Sequence, residues 1–223
     1  MLGAASLVSL SGLSGVTGCG KNTGGNPTGQ TPSATASAAA KGPVDPAEAV
    51  PGIVATLPDH IPPNALACVP SPGTGHPTPA TVSDPAAPRI TIDLPDGWNS
   101  VAGTGDTALT MTGPGGMSAT VTIASTDLQP DSAFLRYTAA MGGARARLKF
   151  SVAGAPFCGY SSQQLTMTVQ GPSGRIDYAD RITHIWTNTN KYLVAVHLEG
   201  PAGAAGFGTA KSTLMQQFTV VIP

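Results

Sequence analysis

Charge is scarce in this sequence. Its 223 residues include only 11 Lys and Arg against 12 Asp and Glu, a net of -1. No basic stripe is available to neutralise a phosphate backbone, so nucleic acid is not an expected partner. Histidine numbers four, and no two stand at helical metal-site spacing. No Cys or His lies two to four residues from Cys68 or Cys158, so neither a metal site nor a metal cofactor is expected. A Gly-x-Ser-x-Gly nucleophile elbow is missing as well. The nearest strings, Gly159-Tyr160-Ser161-Ser162-Gln163 and Gly171-Pro172-Ser173-Gly174, lack the second glycine at the required spacing. No Gly-rich loop is followed by Lys-Ser/Thr, which removes the common phosphate-binding loop. The reading is therefore of a protein without cofactor and without a recognisable catalytic motif. One core and not two fits a chain of this length.

Met1 to Gly18 carries no charge and holds Leu2, Leu7, Val8, Leu10, Leu13 and Val16 among Gly, Ser and Ala. It is too short and too rich in small residues for a membrane-spanning helix, which needs about 20 apolar residues. A leader peptide is shorter and ends in small side chains. Val16-Thr17-Gly18-Cys19 resembles the bacterial lipobox: a branched apolar residue, two small residues, then the cysteine that receives lipid. Residues 1–18 are thus expected to be a lipoprotein signal peptide, with lipid on Cys19 and the protein held at the extracytoplasmic face of the cell membrane. The basic start of such a leader is missing here, and an upstream start codon would supply it. The competing reading is an ordinary secretory leader with a coincidental cysteine.

Cysteine usage bears on the same point. Three cysteines, Cys19, Cys68 and Cys158, are an odd number for an exported chain. Assigning Cys19 to lipid leaves an even pair. In an oxidising compartment Cys68 and Cys158 are expected to form a disulfide, and a loop of that length corresponds to about 4–5 kcal/mol in the chain-entropy model. The alternative is two buried free thiols.

From residue 19 to 43 the chain is Gly, Asn, Thr, Pro, Ser and Ala with few charges, too polar to bury a core, and is expected to be a flexible tether. Residues 44–88 are read as a short helix within Asp45–Leu57, capped by Asp45 with Pro46 in its first turn and interrupted by Pro51 and Gly52, then a Pro-rich stretch containing Cys68. The body is expected from Arg89 to the end. Strands are read at 89–94, 108–111, 118–124 and 148–152, with helices at 131–141 and 207–218 and a last strand at 220–222. Residues 160–170, 175–186 and 191–199 alternate or run apolar between tight turns and form a three-stranded antiparallel meander. Strands in series with helices at separate points make the fold class α+β, an antiparallel β-sheet with packed helices.

Several segments then occur in a telling order. They are Ile92-Asp93-Leu94-Pro95-Asp96-Gly97-Trp98, Phe157-Cys158-Gly159-Tyr160-Ser161-Ser162, Arg181, Tyr192-Leu193-Val194 and Phe218-Thr219-Val220. That order resembles the LpqN/LpqT family of mycobacterial lipoproteins, over roughly Arg89 to Ile222, with the lipobox and low-complexity linker in matching places. The resemblance implies a Mog1/PsbP-like sheet with helices packed on it. It also implies a role at the cell envelope, where some members are linked to glycolipid traffic. The Cys68–Cys158 pair and the Pro-rich segment depart from that pattern.

Among single residues, His184 stands out. A strict period of two places Asp180 and His184 on the side of Ile176, Ile182 and Trp186. The pair then offers a buried base for a hydrolase or a donor to a ligand; the alternative is a bulge that flips part of the strand, or a satisfied polar pair at the sheet margin, and this is preferred because no serine or cysteine partner is recognisable. His197 is expected to face solvent, His60 and His76 to lie in loops, and Trp98 and Trp186 to anchor core or rim. Should the domain carry an acyl chain, its pocket is expected between sheet and helices, walled by Phe134, Met141, Leu214 and Phe218. The leading expectation is a non-enzymatic envelope lipoprotein binding a lipid, a glycolipid or an envelope protein partner. The rivals are a hydrolase using Asp180 and His184, and a purely structural or antigenic surface module.

Overall fold

A computed structural model describes residues 50–54, 61–70, 73–142, 150–155 and 157–223. The expected leader, Cys19, the expected tether, His60 and most of the expected Asp45–Leu57 helix lie outside these. In chain order the elements are β1 (Leu66–Cys68), β2 (His76–Ala80), β3 (Arg89–Leu94), β4 (Asn99–Ala102), β5 (Thr107–Thr112), β6 (Ser118–Thr126), α1 (Pro130–Gly142), β7 (Ser151–Gly154), β8 (Ser161–Gly171), β9 (Gly174–Trp186), β10 (Lys191–Pro201), α2 (Phe207–Leu214) and β11 (Thr219–Val221). They build two sheets, one of four strands ordered β1-β11-β3-β2 and one of seven ordered β4-β5-β6-β10-β9-β8-β7. Every pairing is antiparallel. The protein is therefore β-rich, with two helices among the described residues.

The β8–β9–β10 meander stands as read. Its turns need left-handed backbone, supplied by Gly174 (φ 128) and Asn188 (φ 69), residue types that tolerate it. Alternation then sorts the side chains of β9 and β10. Ala179, Ile185, Tyr192, Val194, Val196 and Leu198 join the main core, which also takes Ile90 and Ile92 of β3 and Leu214 of α2. Ile182 and Ala195, one residue out of phase, face the other way and meet Phe134 of α1 together with Leu165.

Two expectations need correction, the start of the body and the end of the last helix. The folded body does not begin at Arg89, because β1 and β2 precede it and pair with β11 and β3. These strands are three and five residues long, and β2 contains Pro77 and Pro79. Prolines are tolerated there because β2 is the open edge of its sheet, where a missing N–H breaks no ladder bond. Of the expected 45–57 segment only Val50 to Val54 are described: Pro51 and Gly52 form a turn, at the point where they are expected to interrupt the helix, and Ile53 and Val54 are irregular. Gly52 has φ 75, outside any right-handed helix. Finally, α2 stops at Leu214 with a non-helical Met215, so Phe218 is core but not helix.

The expected disulfide is present. Cys68 on β1 joins Cys158 across 90 residues with the Cα atoms 5.6 Å apart, tying the N-terminal strand to the turn that leads into β8.

Candidate functional site

Helix α1 lies over the outer face of the seven-stranded sheet. It starts at Pro130, a residue suited to a first helical position, with Asp131 in the first turn. Two side chains fasten it. Phe134 is buried among Leu165, Ile182 and Ala195, and the Tyr137 hydroxyl donates to Asp180 Oδ1 at 2.7 Å. Leu135, the next residue after Phe134, points away and is 71% exposed.

Between α1 and the β7–β8 edge runs a groove of about 450 Å³. Its apolar walls are Val50, Pro51, Phe134, Leu135, Phe150 and Val152, with Asp131, Ser132, Thr138 and Gln163 adding polar atoms. This volume falls in the range of small-molecule sites. One wall is a strap, Val50 to Val54, laced onto β8. The Ser162 N–H donates to the Gly52 carbonyl at 2.9 Å, and Gln163 Nε2 donates to the Pro51 carbonyl at 2.8 Å. The Val54 N–H donates to Ser161 Oγ at 3.0 Å, and that hydroxyl returns a bond to the Val54 carbonyl at 3.2 Å. A Cβ on Gly52 would strike the Ser162 carbonyl oxygen. Gly52→Ala is expected to unseat the strap and destabilise the domain by about 1–3 kcal/mol, read as a lowered urea midpoint; an unchanged midpoint would mean the strap does not depend on this fit.

Of the four expected wall residues, only Phe134 lines this groove. Met141 packs against the same small cluster, whereas Leu214 and Phe218 are buried in the main core on the opposite face. The structure thus divides the four between two layers, and the expected pocket walled by all of them does not form.

The Asp180–His184 pair does not form either. Both residues are on the face of Ile182, but positions four apart on one strand are roughly 13 Å apart. The direct neighbour of Asp180 is the residue opposite it on β10, and the register makes that His197. His197 Nδ1 meets Asp180 Oδ1 at 2.7 Å, and its Nε2 is 3.9 Å from Glu199. His197 is therefore half-buried in an ionisable cluster and not a solvent-facing residue. His184 instead places Nε2 3.0 Å from the Leu128 carbonyl. Burial holds His184 below the ordinary histidine value, with the Leu128 hydrogen bond opposing and the Lys191 charge adding to the shift.

Burial alone would lower His197, but the hydrogen bond and charge of Asp180, with Glu199 behind, outweigh it and raise His197 above the ordinary value of 6.5. A raised folded value means that the stabilisation is fully present below about pH 6.5 and is lost as pH rises through the folded value. Urea unfolding from pH 6 to 9 should show the wild type losing stability relative to His197→Gln across that interval; parallel pH dependences would contradict it. Tyr137 is pushed well above the tyrosine range, first by burial and then by the charge and hydrogen bond of Asp180.

On the inner face of β9, Arg181 lies buried. Its Nε donates to the Met215 carbonyl at 2.6 Å and its Nη1 to Ser162 Oγ at 3.1 Å. The guanidinium sits 5.3 Å from the Phe157 ring centroid, and desolvation brings its pKa down to about 10. Ser161 and Ser162 are thus engaged in structural bonds. Among the described residues, no serine hydroxyl or cysteine thiol is hydrogen-bonded to His184 or His197.

A second, wider depression of about 710 Å³ opens on the other flank of α1. Trp186 lines it with Asp84, Asp127, Arg136 and Lys191. Two acids and two bases leave it without a preferred charge, and Asp84 already accepts from the Tyr192 hydroxyl at 2.7 Å. Its size alone does not make it the better site, because it offers little apolar surface to desolvate a ligand. Trp186 is a half-buried rim residue here, whereas Trp98 is core.

No protein-family model and no curated protein matches the sequence. Among solved structures, one described as involved in cell envelope biogenesis of Mycobacterium tuberculosis matches over 66% of this chain and 91% of its own, at 18% identity and a TM-score of 0.48. This chain is similar to LpqN. The ordered segments that carry the sequence resemblance to the LpqN/LpqT family converge in one place. Ile92, Leu94, Trp98, Phe157, Tyr160, Tyr192, Val194, Phe218 and Val220 all belong to the main core. The groove beneath α1 contains none of those residues.

Proposed function

We propose that the chain is an exported lipoprotein of the cell envelope, anchored through Cys19 at the extracytoplasmic face of the membrane, whose folded domain binds the hydrocarbon part of a lipid or glycolipid without catalysing a reaction. One observation carries the binding half of this reading. Val50, Leu135, Phe150 and Val152 are large, apolar and exposed, and all four line a single groove. Grouped apolar surface of this kind is uncommon unless something covers it.

The anchoring half draws on the lipobox, the Ser/Thr/Pro-rich stretch after it and the Cys68–Cys158 disulfide, which suits an oxidising compartment. No helix among the described residues is long and apolar enough to cross a membrane. The reading without catalysis rests on where the candidate base is held: Asp180 is bonded to Tyr137 and His197, and His184 to a backbone carbonyl.

Native mass spectrometry of the purified full chain, followed by extraction, tests the proposal. An acyl-bearing species bound one to one, and reduced by Leu135→Asp and Phe150→Asp, is the expected result. Failure to co-purify lipid, together with failure to take up added lipid saturably, would overturn it and leave an envelope protein as the partner of the groove. A hydrolytic activity lost in His184→Ala would overturn the non-catalytic part.

A further inference from the structure

The wide depression on the other flank of α1 shares no lining residue with the groove. Three of its lining residues stand in a row set by register: Thr126 of β6 is opposite Lys191 of β10, which is opposite Trp186 of β9. The β9–β10 turn beside that row is pinned in place. Asn188 accepts from the Ile61 N–H at 3.0 Å and donates to the Ile61 carbonyl at 2.7 Å. From the same turn, Asn190 Nδ2 donates to the Tyr192 hydroxyl at 3.4 Å, and that hydroxyl donates to Asp84 Oδ2 at 2.7 Å. The Ala86 N–H donates to the other oxygen, Oδ1, at 2.9 Å. Asp84 is thus aimed from two sides, one of them the buried core residue Tyr192, and each of its oxygens keeps a lone pair for a ligand.

Four charged side chains line this depression, Asp84, Asp127, Arg136 and Lys191. None pairs with another, since every ion pair among the described residues involves a histidine. The side chains of Asp127, Arg136, Lys191 and Trp186 form no hydrogen bond among the described residues. A ligand with net charge of either sign meets two groups of its own sign here. A neutral polyhydroxylated ligand does not, because each hydroxyl both donates and accepts. The carboxylates accept from it, while the guanidinium and the ammonium donate to it. The scarcity of apolar surface, which counts against a hydrocarbon chain, suits such a ligand. Trp186 supplies one broad apolar face, half-buried at the rim. The C–H face of a sugar ring packs on an indole while the hydroxyls at its edge stay free to bond.

We propose that this depression is a saccharide site, in which a neutral di- or oligosaccharide stacks on Trp186 and bonds through its hydroxyls to Asp84, Asp127, Arg136 and Lys191. Its volume of about 710 Å³ lies within the range of small-molecule sites. The aimed carboxylate of Asp84 orients the ligand, and the uncommitted groups around it supply the remaining bonds. The site goes beyond the acyl groove and does not depend on it. A free glycan and a glycolipid headgroup present the same ring and the same hydroxyls.

The chain has two tryptophans, and Trp98, which is core and 8% exposed, serves as the internal control. Their indole N–H signals in the nitrogen-labelled full chain would be followed during titration with maltose, cellobiose, lactose and mannobiose, with Trp186→Phe assigning the two. A saturable shift of the Trp186 signal with at least one sugar, and a still Trp98 signal, is the expected result. Arg136→Ala, at an exposed position, should weaken that binding severalfold and leave the urea midpoint nearly unchanged. Asp84→Asn should weaken it as well. No shift with any of the four sugars, equal shifts at both indoles, or full affinity in both variants would overturn the site. The dodecyl glycoside of the tightest binder, below its micellar concentration, identifies the source. Affinity equal to that of the free sugar points to a free or polymeric glycan, and much tighter binding with the same Trp186 shift points to a glycolipid headgroup. Lipid uptake is read at other residues, so loss of either site leaves the other standing.

Discussion

Replacing Cys68 and Cys158 together by alanine should lower the unfolding free energy by about 2–5 kcal/mol, the usual range for loss of a native disulfide. Two features put the effect high in that range. The bridge closes a loop of 90 residues, and loop-closure entropy in the unfolded state grows with length. The strand that it secures is also poorly held otherwise. β1 has three residues and pairs with β11 through an irregular register. At the other end Cys158 sits at φ 48 beside Gly159 at φ 83, in the turn closed by the Tyr160 N–H donating to the Phe157 carbonyl at 2.7 Å. A cysteine in left-handed backbone is disfavoured by about 1–2 kcal/mol, so the cross-link and not local preference keeps it there. Urea unfolding of the double variant, and of the wild type under reducing conditions, should agree on the loss. A change below about 1 kcal/mol in both would show that β1 is held by packing alone.

The second large effect is expected at Phe134. It is 2% exposed and is the one α1 side chain in the small cluster that is fully buried. Phe134→Ala should destabilise by about 3–5 kcal/mol, combining lost transfer energy with the cavity left behind. Part of that loss should be local. With Phe134 truncated, the Tyr137–Asp180 bond is left to hold α1 on the sheet, and one hydrogen bond to a carboxylate is worth about 1.5–3 kcal/mol. Hydrogen exchange should therefore show residues 130–142 losing protection while β8, β9 and β10 keep theirs. Lipid uptake should fall with it, since the helix is a groove wall. Uniform loss of protection across the domain would mean that α1 unfolds only with the rest.

The sequence was informative where one periodicity ran long enough to be unambiguous. β8, β9 and β10 span 11, 13 and 11 residues with turn residues between them, and their ends were read nearly to the residue. β1, β2 and β4 leave no signal in the sequence because strands of three to five residues carry no period, and prolines in β2 argue for a loop unless the strand is known to be an edge. The disulfide was legible from parity and compartment. The groove was not, because it depends on which of two adjacent apolar residues α1 buries: Phe134 and Leu135 look alike in sequence, and only docking decides between them. Likewise, Asp180 was read with the wrong histidine because a strand pattern gives the face of a residue but not its cross-strand neighbour. Register, a property of two strands together, brought His197 opposite.

The central claim, that the groove beneath α1 holds an acyl chain, is tested most directly by photolabelling. The full chain would be irradiated with a long-chain fatty acid carrying a diazirine near its methyl end, and the adducts mapped by peptide sequencing. Labels are expected to concentrate on Val50, Leu135, Phe150 and Val152 and to be competed away by excess unlabelled fatty acid. Labels scattered over the surface, or gathered around Trp186 on the other flank of α1, would contradict it.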